Sequence, residues 1–124
     1  MTDRELLELA AKAVGIKPDP KLYEEGIGVC WSGEDSDGVY VQCWNPLMDD
    51  GDALRLAVKL GISLLPYPVY AENERHSVIA KQRRKGDPLR EANPTEVHEL
   101  YGSDPYAATR RAIVRAAAEI GRNK

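Results

Sequence analysis

Residues 38–65, "GVYVQCWNPLMDDGDALRLAVKLGISLL", change their periodicity twice. Val39, Val41 and Cys43 alternate with Tyr40, Gln42 and Trp44, the period of a strand. Asn45-Pro46 breaks that pattern, and Asp49, Asp50 and Asp52 follow. Carboxylates here satisfy the free N–H groups of a helix start and complement its dipole, so Asp49 or Asp50 is the expected cap and Asp52 lies in the first turn. Ala53, Leu56, Ala57 and Leu60 then share one helical face, with Leu54 and Val58 beside them, a width that predicts packing on a sheet and on a second helix. Gly61 stops the helix, and "ISLL" opens another strand over 62–65.

Upstream, Thr2 and Glu5 make a capping-box pattern before a helix over 3–14, and "KPDPK" is a stiff connector. "GIGVCW" and "GVYVQCW" read as strands over 27–31 and 39–44, joined through the turn formers "SGEDSDG". Downstream, "HSVIAKQ" is a strand over 76–82 that pairs with 62–65 as a second hairpin. Asn93, Pro94 and Glu96 predict a short helix, "TEVHELY", ended by Gly102. Asp104-Pro105 opens the last helix, whose expected buried face is Tyr106, Thr109, Ile113, Ala116, Ala117 and Ile120. Its many alanines permit a close approach to a neighbour. The expected fold is α+β: an antiparallel sheet built from two hairpins and packed with helices, in the order α-β-β-α-β-β-short α-α.

One domain over residues 1–124 suits the length. Hydrophobic residues are 43% and charged residues 30%, a globular balance. The net charge of −3 argues against general nucleic-acid binding. No apolar run is long enough to span a membrane, and the amphipathic, acidic N-terminus lacks a signal-peptide core, which places the expected product in the cytoplasm. Phenylalanine is absent, so aliphatics, alanine, tyrosine and two tryptophans fill the core.

Residues 44–61, "WNPLMDDGDALRLAVKLG", together with 104–121, "DPYAATRRAIVRAAAEIG", and "PTEVHELYG", 94–102, resemble a group of small bacteriophage proteins with the phage alpha-beta-alpha sandwich domain. The resemblance implies a phage or prophage product made in a bacterial cytoplasm, and it carries no activity.

No P-loop, G-x-G-x-x-G or G-x-S-x-G is present, so no cofactor is expected. Adjacent His76 and Ser77 point to opposite strand faces, which defeats a shared proton. Cys30, Cys43, His76 and His98 match no zinc spacing. Cys30 and Cys43 sit on adjoining strands, where a reducing cytoplasm argues for small buried thiols over a disulfide. Two basic clusters stand out: Lys81, Arg83, Arg84, Lys85 and Arg90 in a loop, and Arg110, Arg111, Arg115 and Arg122 on the last helix. Together with Trp44, Asn45, Asp50 and Asp52, Arg83 and Arg84 are the candidate binding residues. The resulting expectation is a non-enzymatic accessory protein that binds a host protein, for instance a defence component, or a small anionic ligand. The alternative is a phosphoester- or nucleotide-directed enzyme using Asp49, Asp50 and Asp52. The alanine-rich last helix also allows a homo-oligomer.

Overall fold

A computed structural model describes residues 1–66, 77–82 and 95–124. Its elements are α1 (Asp3–Ala13), β1 (Val29–Asp35), β2 (Gly38–Trp44), α2 (Asp50–Leu60), β3 (Ile62–Pro66), β4 (Ser77–Gln82), β5 (Thr95–Leu100) and α3 (Pro105–Arg122). The fold is α+β, with the expected run of helix, hairpin, helix, hairpin and final helix. The strands form two antiparallel sheets instead of one: β1-β2, and β3-β4-β5.

The segment 95–100 is a strand where local signals favour a short helix. It pairs with β4 throughout, Ala80 opposite Val97 and Val78 opposite Glu99. A helix of this length gains little on its own, so burial of Val97 against a sheet wins. Asn93 and Pro94, which suggested the helix start, lie outside the described residues.

α3 is the centre of the molecule. It touches α1, α2, β4 and β5, so nearly every side of it is buried rather than one stripe. Ala108, Ala112, Val114, Ala118 and Gly121 join the expected Ile113, Ala116, Ala117 and Ile120 in the core. Tyr106, expected inside, is 72% exposed, while Ala108 in the same turn is buried. Small side chains let α1 lie directly on α3. A Cβ added at Gly121 would collide with the Leu9 carbonyl oxygen and carbon and approach Ala13 N at 3.2 Å. The close approach expected from the alanines is thus made, with α1 as the neighbour.

α2 buries Ala53, Leu56 and Ala57 against α3 and β3, but Leu54 and Val58 are exposed, so its apolar face is only partly used. Gly61 closes it in the left-handed region at φ 65°, where a side chain is disfavoured. Gln82, buried on β4, donates from Nε2 to the Leu60 carbonyl at 2.7 Å and so ties the sheet to the end of α2.

The β1-β2 ribbon has a two-residue turn between Asp35 and Gly38. Its base enters the core through Val29 and Trp44, and the Tyr40 ring lies across Gly33. The opposite face holds Val39 at 72% and Val41 at 61% exposure. Cys30 and Cys43 are directly opposed in the register and form a disulfide. This corrects the expectation of two buried thiols: only Cys30 is buried. Directly opposed cross-strand positions bring the two Cβ atoms close enough for their sulfurs to bond.

Among the described residues no helix is long and apolar enough to cross a membrane.

Candidate functional site

The strand-to-helix turn gathers four of the candidate residues. Trp44 and Asn45 are 9% and 8% exposed, so both belong to the interior. Asn45 organises the turn. Its N–H donates to Asp52 Oδ2 at 3.0 Å, its Oδ1 accepts from Leu47 N at 3.2 Å, and its Nδ2 donates to the Gly26 carbonyl at 3.4 Å. Gly28 packs so closely beneath that a Cβ there would overlap the Trp44 carbonyl oxygen and approach the Asn45 Cβ to 2.7 Å.

The aspartates do structural work. Asp49 is the cap, its Oδ2 accepting from Asp52 N at 2.8 Å. Asp52 also accepts from Arg55 at 2.8 Å. Asp50 turns outward and accepts from Arg110 Nη1 at 2.7 Å, while Arg110 Nε donates to the Leu47 carbonyl at 2.8 Å. Arg110 thereby clamps the start of α2 onto α3. Asp49→Ala is expected to cost about 1 kcal/mol, as helix caps do. Asp52→Ala, which frees Asn45 N–H as well as a first-turn carboxylate, is expected to cost about twice that. Urea melts of the two variants check the order. Arg83 and Arg84 lie outside the described residues, as do His76 and most of the basic loop. Among the described residues no three His, Cys, Asp or Glu side chains gather to hold a metal ion.

A different place collects charge around a concavity. A groove of about 410 Å³ runs along α3, with Arg111, Arg115 and Arg122 along its length. Leu6 of α1 walls one side, Val97 of β5 the other, and Ala118 lies between the arginines. At 100° per residue the three arginines fall within roughly 40° of one another on the helix, and at 1.5 Å per residue they are spaced about 6 Å and ~10.5 Å along its axis. They make one straight row.

Each guanidinium has a carboxylate beside it. Arg111 Nη2 meets Asp3 Oδ1 at 2.9 Å, Arg115 Nη1 meets Glu99 Oε2, and Arg122 Nη1 is 3.3 Å from Glu119 Oε2. Arg115 Nη1 also donates to the His98 carbonyl at 3.1 Å. The pairs are partly exposed, so each holds only weakly, about 0–1 kcal/mol. A guanidinium has five N–H donors, and these contacts use a minority of them.

The basic cluster on the last helix is readable in the sequence, and the spacing of Arg111, Arg115 and Arg122 places them on one face. The walls are not readable, because they come from segments roughly 90 residues and more apart in sequence. Smaller hollows among the described residues include one of about 220 Å³ between α2, β3 and α3, lined mainly by apolar groups such as Leu54, Leu64 and Ile113, one of about 310 Å³ beside the connector after α1, and one of about 220 Å³ where Asn45 and Leu47 meet Asp3 and Leu7. No protein-family model, curated protein or solved structure matches this chain.

Proposed function

We propose that the protein acts by non-enzymatic binding, and that the groove along α3 receives an anionic group carried by a host protein or a small molecule. In origin we propose a phage or prophage accessory protein working in a bacterial cytoplasm, with a role in counter-defence; the resemblance of residues 44–61, 94–102 and 104–121 supports this. The observation that carries the binding reading is the single row of three guanidinium groups along a concavity. Guanidinium keeps its charge at any physiological pH and offers a planar fork that matches carboxylate and phosphate. Besides the arginines the lining is Met1, Glu119 and the aliphatic Leu6, Val97 and Ala118, so what the groove offers a ligand is guanidinium hydrogen bonding.

Titration calorimetry with tripolyphosphate and with citrate tests the reading. Binding is expected for at least one of them, and it weakens about 10-fold in Arg111→Gln and in Arg122→Gln, the loss of one charge-assisted contact. At a ligand concentration of 10 Kd the melting temperature rises by the equivalent of about 1.4 kcal/mol. If both ligands leave the heat signal and the melting temperature unchanged at millimolar concentration, and the acidic peptide described below does the same, the groove is not an anion site.

A further inference from the structure

We infer that the natural occupant of the groove is an extended acidic peptide segment of a partner protein, with carboxylates set along the arginine row. The inference rests on the binding reading above and narrows it to one ligand class.

Three observations carry it. The first is length. Arg111 and Arg122 stand about 16.5 Å apart along the helix axis, so a compact anion meets only one or two of the three arginines. An extended chain rises about 3.3 Å per residue, and five to six residues cover the row. The second is the kind of anion already there. Asp3, Glu99 and Glu119 come from three different elements, and each places a carboxylate on one arginine of the row. The row is thus shaped for carboxylates, and because the pairs are partly exposed, an incoming acidic chain exchanges partners instead of stripping water from bare charges. The third is the surface between the arginines. The exposed lining is mainly polar, with Leu6, Val97 and Ala118 buried beneath it, which suits an extended chain that presents carboxylates and its own backbone to the guanidinium groups. The chain's own net charge of −3 also disfavours a nucleic-acid strand.

The test is fluorescence polarisation with a labelled eight-residue peptide of alternating glutamate and leucine, against the same peptide with glutamine for glutamate. The acidic peptide is expected to bind at least 10-fold more tightly than the glutamine peptide, and to weaken steeply with added salt. Arg111→Gln and Arg122→Gln each weaken it about 10-fold. Asp3→Asn and Glu119→Gln act in the opposite direction, tightening it about 3-fold each, because they remove the carboxylates that compete for the row. A merely structural role for these pairs gives no such gain. Binding of tripolyphosphate or citrate with none of the acidic peptide overturns this inference and leaves the anion site standing. Equal binding of the acidic and glutamine peptides, or no tightening in Asp3→Asn and Glu119→Gln, also overturns it. Failure of every probe overturns both readings.

Discussion

Gly121→Ala lowers the stability of the protein by about 3 kcal/mol, which for a chain of this size is a fall of roughly 10 °C in melting temperature. By helix propensity alone the change is favourable by up to about 1 kcal/mol. The packing term opposes it and is larger. The new methyl group would sit on the Leu9 carbonyl of α1, and what it meets is backbone, which no rotamer change moves aside. The whole of α1 has to shift along α3, opening contacts of Leu7, Ala10 and Ala11 that are now closed. Gly51→Ala is the matched comparison. At that position in α2 a Cβ meets the tip of Arg55 at 3.2 Å, which swings away, and the capping Oδ2 of Asp49 at 3.2 Å, which has to give by only a few tenths of an ångström. The small cost to the cap offsets the gain in helix propensity, and that variant is expected to lie within about 1 kcal/mol of the parent. Thermal melts by circular dichroism compare the two. A Gly121→Ala protein that melts at or above the parent temperature would show that α1 does not lie where it is described.

Reduction of the Cys30–Cys43 bond has the second-largest expected effect. The cysteines are 13 residues apart in sequence, and closing a loop of this size restricts the unfolded chain by about 3 kcal/mol in the chain-entropy account. The ribbon has little else to replace it. The outer part of β2 is exposed, and only the base, at Val29 and Trp44, joins the core. Dithiothreitol is therefore expected to lower the melting temperature by roughly 8–10 °C. A Cys30→Ala/Cys43→Ala protein melts near the reduced value and does not respond to the reagent. An oxidised sample that ignores dithiothreitol contradicts the account.

Where the sequence is legible, the determinants are local. Asp49, the first-turn carboxylates and Gly61 define α2 at both ends, since capping depends on residues a few positions apart. Thr2 does the same for α1, its Oγ1 accepting from Glu5 N at 3.1 Å. The helix expected at 95–100 fails for the opposite reason. Gly102 and the proline before it punctuate a helix and a strand alike, and the deciding partner, β4, is brought in by pairing across a long connection. The exposed Val39 and Val41 show the same limit: alternation identifies a strand, and does not say whether anything covers its apolar side. For the candidate site, the aspartates are legible as a helix start, and the arginine row is legible as a pattern on one helix face. Its becoming a groove depends on Leu6 and Val97, which only the tertiary arrangement brings alongside.

The contact between Leu9 and Gly121 joins stretches more than a hundred residues apart in sequence. During synthesis the N-terminal helix emerges first and has to wait, its alanine side bare, until the C-terminal one has left the ribosome. Although 42% of the described residues are helical, the folding rate is then governed by a large chain closure and falls toward that of proteins dominated by distant pairings. Nascent chains stalled before residue 105 are expected to remain open to proteases, whereas release of the following eighteen residues converts them to the resistant form in one step.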